Sequence, residues 1–507
     1  MDLAGPDRAA VCCRDTRRPG RALSIDGQEG GTPTMTEEKR REEEPQGIPN
    51  PITELIDSIR ELRGAPAGFW YTNVAYWMDG IAYFGMLTLL AMFFHDLAGL
   101  SDDTGHKLVS VYTGLISGLM LVFGPVADKL GVRRSLIVSV VLYIIGRIWF
   151  PLAPSLVPPG STLMIVLSVV ALVIAAAGNG FMQPACYAGV RRFTDEKTAA
   201  MGYGLLYAGM NLGIVVIGLL SSRIRTGLHI GSPFDFDGFG ITGVFWFCVG
   251  VNVLMLVLLL FFFTPKVERE STILGAGPEG AEGKGDAGPR RGPVEGIVHW
   301  FHTSPLLNAR FMFFIFVLLP VQTLFAYQWL VLPQYVTRAY SEAVANNMET
   351  IVNVSNPLII VLGVPVITAL TRRVPVYRMM IIGSMVSALP TFFFTAGPSF
   401  TLLMAYIVLF SIGEALWQPR FLQYAAELAP EGRTGAYIAF ANIPWFLIKF
   451  LAGLYTGRMM EIYCPAEGPT RTETMWLVYA LIALASPIGL LIGRKWVERG
   501  LREKGDG

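Results

Sequence analysis

Four charged side chains, Asp79, Arg147, Glu414 and Lys449, stand inside long apolar runs of this 507-residue chain. A charge near the centre of a membrane-spanning helix costs about 2.5–3.5 kcal/mol on insertion scales, so each is expected to face protein or water and to have a use there. Asp79 lies about eleven residues into its run, or ~16 Å at ~1.5 Å per residue, close to mid-bilayer. Glu414 and Lys449 each lie about fifteen residues into runs of opposite direction, so they are expected at one depth and as an ion pair. The chemistry open to such a set is proton exchange at a carboxylate and recognition of a polar solute, with pair breakage biasing one conformation over another. The alternative is a static pair that fastens two helices, and for Arg147 a peripheral position in the third run.

Aromatic and amide side chains surround these charges. Tyr76, Asp79, Gly80 and Tyr83 follow i, i+3, i+4, i+7 spacing and are expected to form one polar and aromatic strip along a cavity. Gln183, Tyr207, Asn211, Gln328, Asn356 and Trp417 fall in further apolar runs, where they serve either as solute ligands or as interhelical glue. Nothing points to an enzyme. The five histidines form no paired-ligand helical motif, and Gly178-Asn179-Gly180 lacks the Gly-Lys-Ser/Thr of a phosphate loop, so neither a metal nor an organic cofactor is expected.

The elements that must hold these residues follow from composition. Hydrophobic residues make up 52% of the chain and charged ones 16%, with mean hydropathy +0.48, which marks a membrane protein whose surroundings are the lipid bilayer. A balance of 40 Lys plus Arg against 39 Asp plus Glu excludes tracking of a nucleic-acid backbone. The five cysteines lack paired spacing, so no disulfide framework is read. Twelve windows reach the ~20 apolar residues that a ~30 Å hydrocarbon layer requires, near 68–95, 105–127, 134–153, 161–190, 198–222, 241–263, 310–335, 347–371, 376–396, 399–428, 434–460 and 474–496. Residues 1–67 read as a polar tail without a cleavable export signal, carrying a short amphipathic stretch from Ile52 to Leu62, and its first 34 residues look like an optional extension ahead of Met35. The glycine-rich stretch 264–309 reads as a linker between six-helix halves 68–263 and 310–496, with 497–507 a second tail. Lys129, Arg133 and Arg134, then Arg191 and Arg192, Arg372 and Arg373, and Arg494 and Lys495 all fall in alternate connections. That bias places both termini and the linker in the cytoplasm, in a plasma or inner membrane.

The segment Gly124-Pro-Val-Ala-Asp128-Lys129-Leu-Gly131-Val-Arg133-Arg134 resembles the GxxxD(R/K)xG(R/K)(R/K) loop of the major facilitator superfamily, where it latches helix ends in one gating state. Leu206-Tyr207-Ala-Gly-Met-Asn211-Leu-Gly213, Asn356-Pro357 with Pro365, Ile412-Gly413-Glu414 with Leu428-Ala429-Pro430, and Tyr83-Phe84-Gly85-Met86 resemble motifs of the proton-dependent oligopeptide transporter branch. The resemblance implies an all-α protein of two six-helix bundles around a midplane cavity, moving a small polar solute, peptide or amino-acid-like, together with protons. Two departures bear on mechanism. The branch's ExxER cluster falls on Tyr76, Asp79 and Gly80, and its GxGxxKP lysine falls on Gln183. The alternative reading is a sensor or scaffold that keeps the fold without transport.

Overall fold

A computed structural model describes residues 64–195, 199–228, 236–272, 307–371, 374–428, 441 and 443–505, all within one compact unit, Glu54–Gly507. The amphipathic stretch before Leu62, most of the linker, Arg372, Arg373 and the Ala429-Pro430 end of one motif lie outside the described residues.

The described chain is helical throughout, apart from a two-residue antiparallel pairing of β1 (Gly227–Leu228) with β2 (Phe236–Asp237). The first half comprises α1 (Ala67–Met92), α2 (Asp102–Leu130), α3 (Val132–Arg147), α4 (Trp149–Leu156), α5 (Thr162–Phe193), α6 (Ala199–Thr226), α7 (Gly240–Phe261) and α8 (Pro265–Ser271). The second comprises α9 (Ala309–Val317), α10 (Leu319–Leu330), α11 (Leu332–Ala339), α12 (Glu342–Asn346), α13 (Met348–Thr371), α14 (Val376–Ala388), α15 (Phe400–Leu428), α16 (Ile443–Tyr463) and α17 (Thr472–Gly505).

Local chemistry sets the boundaries. Ser101, Ser161 and Asn308 cap α2, α5 and α9 by accepting from the amides of Thr104, Met164 and Phe311. Gly131, at φ +84°, turns the chain from α2 into α3 in a conformation that a side chain would strain. Where one span was expected at 310–335, the chain forms α9, α10 and α11, because Pro320 and Pro333 each open the next helix and cannot donate to the previous one. The α2 axis bends by 51° between Met120 and Val122, about one turn before Pro125, where a proline ring crowds the preceding carbonyl.

Among the described residues nine helices are long and apolar enough to cross a membrane, or ten when the bent α2 counts as one span. Twelve were expected. The eighth expected span is apolar only over Met348–Val364, and the eleventh begins among residues outside the description. The start of the expected linker is also different: α8 occupies it, with Thr264 capping, Pro265 in the first turn, and Ser271 Oγ accepting from the Gly68 amide at 2.9 Å.

α1 is 89% buried across its apolar window, against 44% for α17, as expected of a helix that is apolar on every side. It packs against α5, α6 and α7 and also touches α10 and α11, so it sits between the halves. Its crossing with α6 depends on two glycines. A Cβ on Gly80 would lie 2.7 Å from the Met210 carbonyl, and one on Gly213 would lie 2.5 Å from that of Trp77. The arginine that the transporter motif places at position 80 therefore has no room here. Gly213→Val should destabilise the protein by about 1–3 kcal/mol, as forced overpacking does, read as a lower melting temperature by intrinsic fluorescence. Gly204→Ala, where an added methyl meets nothing within 4 Å, should leave melting unchanged.

Candidate functional site

Asp79 is 5% exposed and turned into its own half rather than toward an open strip. Its partner is Arg147 at the end of α3, with Nη2 3.5 Å from Oδ1. The same guanidinium donates to Asn252 of α7 at 3.2 Å and lies 3.8 Å over the Tyr143 ring. Tyr143 donates to Asn179 of α5 at 2.8 Å, and Asn179 donates to Tyr112 of α2 at 3.2 Å. Arg147, 1% exposed, is thus central to a buried polar network joining five helices, and the expected peripheral position is corrected. No spacing rule joins residues 79 and 147. The signal was the presence of one acid and one base in separate apolar runs of the same half.

The ion pair expected between Glu414 and Lys449 is not made in this conformation. The Glu414 carboxylate accepts from Asn356 Nδ2 at 2.9 Å, and the same amide donates to Ser411 Oγ at 2.9 Å. An amide supplied by the adjacent α13 answers Glu414 from closer by than the α16 cation. Lys449 instead lines a small space with Leu87, Val109, Thr113, Ala326, Trp329 and Leu330.

The other expected residues distribute around these two. Tyr207 is 40% exposed on α6, within electrostatic reach of Glu414, and its carbonyl accepts from Asn211 Nδ2 at 2.9 Å. Tyr76 is buried edge-on to Tyr187 at 6.4 Å, and Tyr187 stacks on Tyr203 at 5.7 Å. These two tyrosines were not singled out by sequence, although Tyr187 stands one turn beyond the half-buried Gln183. Tyr83 packs near Tyr112 at 6.4 Å. Gln328 and Trp417 are buried, and Gln328 Nε2 and Trp417 Nε1 have no acceptor among the described residues.

One end of the bundle, where α1 runs into α2, is sealed by bonds between the halves. Arg338 of α11 forks onto Asp102 at the start of α2, Nη1 to Oδ2 at 2.5 Å and Nη2 to Oδ1 at 2.9 Å. Gln334 donates to Asp102 Oδ1 at 3.0 Å and its Oε1 meets His106 Nε2 at 2.7 Å, while His106 Nδ1 meets Thr456 of α16 at 2.9 Å. Because the Gln334 amide nitrogen is committed to Asp102, its oxygen must accept, so His106 carries its proton on Nε2. Gly457 admits the contact: a Cβ there would lie 2.5 Å from the Asp102 carbonyl. Beside it, Glu349 of α13 accepts from Arg225 Nη2 and Ser222 Oγ of α6, both at 3.0 Å. Sequence reading singled out neither Arg338 nor Asp102 as a site residue. The available signal was Gly453-x-x-x-Gly457, a small-residue spacing that allows two helices close approach.

The Gly124–Arg134 loop lies at the other end and is tied within its own half. Arg133 donates from its amide to Glu268 of α8 at 3.1 Å and from Nε to the Phe263 carbonyl, and Arg192 donates to the Asp128 carbonyl at 3.2 Å. Gly124, Asp128 and Lys129 lie in the last turns of α2 rather than in the loop, the two charged side chains being exposed. Among the described residues no hydrogen bond joins the halves at this end.

Removing one member of a buried pair strands the other charge at a cost of about 3–5 kcal/mol. Arg147→Ala should therefore lower the melting temperature sharply, and Asp79→Leu combined with Arg147→Met should recover most of it. A double variant no more stable than the single one would show that Asp79 does not depend on Arg147.

Comparison with known proteins follows this geometry. A sequence model of the Major Facilitator Superfamily matches residues 72–453. Solute carrier family 15 member 2 of Mus musculus is 23% identical over 230 residues, 44% of this chain and 30% of that protein. Protein NRT1/PTR FAMILY 5.12 of Arabidopsis thaliana is 26% identical over 244 residues, 45% of this chain and 41% of that protein. Dipeptide and tripeptide permease B of Salmonella typhimurium is 26% identical over 186 residues, 36% of this chain and 34% of that protein. The matches thus span less than half the length of each relative. Among solved structures, a peptide transporter POT in complex with sulfate superposes with TM-score 0.63 at 18% identity, covering 86% of this chain and 95% of that one. A POT family transporter in complex with 5-aminolevulinic acid gives TM-score 0.59 at 17% identity, covering 85% and 97%. With its apolar helices and this match across most of its length, the chain is an integral multi-pass membrane protein that belongs to the Major Facilitator Superfamily.

Proposed function

We propose that the chain is a secondary transporter that moves a small polar solute, peptide or amino-acid-like, by alternating access and with protons. The observation that carries this reading is the set of bonds that close one end, where Asp102–Arg338 and Arg225–Glu349 join the two halves. An arrangement held shut on one side by bonds between two rigid bodies is what rocking around a midplane site requires.

In this reading the halves are residues 68–263 and 310–496, and the Lys129–Arg134 loop faces the cytoplasm with both termini, in a plasma or inner membrane. The sealed end is then external. Glu414 is the proton-handling carboxylate. It is buried, bonded to Asn356 rather than to a cation, and within reach of Tyr207 across the halves. Asn211, Gln183, Gln328 and Trp417 contribute polar groups around it, and Tyr76 and Tyr83 contribute aromatic wall. Asp79 serves that wall indirectly, holding α1 to α3 and α7 through Arg147. The peptide-like class is supported by the relative named Dipeptide and tripeptide permease B and by a similar fold solved with 5-aminolevulinic acid.

Reconstitution in liposomes carrying an internal pH dye tests the reading. Under an imposed membrane potential, dipeptides, tripeptides or amino acids should acidify the lumen in a solute-dependent way. Glu414→Gln should abolish proton-driven accumulation and keep counterflow exchange measurable. Binding without flux in the folded wild-type protein would overturn transport and favour a sensor.

A further inference from the structure

Lys449, partly exposed on α16, is answered differently from the buried charges. Asp79 has Arg147, Asp102 has Arg338, Glu349 has Arg225 and Glu414 has Asn356, whereas Lys449 has neither an ion-pair nor a hydrogen-bond partner among the described residues. Its surroundings are apolar: Leu87 of α1, Val109 of α2, and Ala326, Trp329 and Leu330 of α10 line the space around it. The nearest polar side chain in that lining is Thr113, whose hydroxyl already donates to the Ser110 carbonyl at 3.2 Å.

The place is as informative as the environment. α1 and α2 come from one half, α10 and α16 from the other, so the space lies between the bodies that rock. Four residues along α16, ~6 Å at ~1.5 Å per residue, Gly453 touches His106 and Ser110 of α2. Lys449 therefore sits immediately inside the seal. The space is small in this conformation, so only the end of a solute could approach the lysine there.

The positions where the transporter motifs place cations in the first half supply none here. Position 80 has no room for a side chain, position 183 is a glutamine, and Arg147 is consumed by Asp79 and Asn252. An ammonium left alone in an apolar wall is costly, and an anionic oxygen arriving with the solute removes that cost.

We propose that Lys449 is the anion-recognising residue of the central site, so that the solute carries a carboxylate and seats that end against the seal. The inference rests on the transporter reading and adds the charge and orientation of the solute.

The test uses the purified full-length chain and follows quenching of tryptophan fluorescence, Trp329 being part of the lining. Dialanine, its C-terminal amide and N-acetylalanine are the probes. The wild-type protein should bind the two acids at least roughly tenfold more tightly than the amide, the scale of one charge-assisted hydrogen bond. Lys449→Met should bind acid and amide alike while melting no lower than wild type, and Lys449→Arg should keep the preference. Retention of the preference in Lys449→Met would place the carboxylate elsewhere and overturn the proposal. Equal binding of acid and amide by the wild type, or uptake confined to solutes without an acid group, would overturn it and leave transport standing. Absence of uptake for every solute would remove the transporter reading and this inference with it.

Discussion

Charge inside a hydrocarbon layer has to be met by protein, and the way each buried charge is met organises the molecule. The pair Asp79–Arg147 closes inside one half and, through Asn252, Tyr143 and Asn179, makes α1, α2, α3, α5 and α7 a single polar-cored unit. The pairs Asp102–Arg338 and Arg225–Glu349 close between halves. The first kind of bond persists whatever the halves do, while the second must break if they separate. Rigidity within a body and bistability between bodies thus come from the same chemistry applied at different places.

Close helix approach is the companion constraint. The carbonyl of Met210 reaches Gly80, that of Trp77 reaches Gly213, and that of Asp102 reaches Gly457. Each contact puts backbone against backbone, so the crossings hold by dispersion at short range without a hydrophobic term that lipid would cancel. The Gly457 contact belongs to the seal. It aligns Asp102 with Arg338 and sets His106 between Gln334 and Thr456, so packing and ion pairing there form or fail together.

Much of the architecture was legible because lipid imposes simple rules. Apolar length gave most of the helices and the Gly124–Arg134 spacing gave the turn between α2 and α3, whereas the breaks at Pro320 and Pro333 that divide the expected span at 310–335 were not read. Which charges meet was not legible. Residues 102 and 338 are 236 positions apart, and a helix rotated by one residue, ~100°, points its side chain at another neighbour. Asp79 and Arg147 were each recognised as costly, yet their pairing required the packing of α1 on α3 and α7. Glu414 was expected to meet Lys449, but the Asn356 amide on α13 is its partner. Depth follows from counting residues, whereas azimuth follows from tertiary packing.

Azimuth also explains how the departures from the transporter motifs are consistent with one another. An arginine at position 80 would collide with α6, so a cation for Asp79 has to come from elsewhere, and α3 supplies it from the side away from the interface between halves. That arrangement pairs Asp79 within the first half. The second half carries Glu414 on α15, answered by an amide, and Lys449 on α16, beside an apolar wall. Lys449 stands one turn from the Gly453 contact with α2. If that lysine takes the solute's carboxylate, as proposed, binding energy would be delivered next to the bonds that hold the seal, where a difference in affinity between closed and open forms would shift their populations most directly.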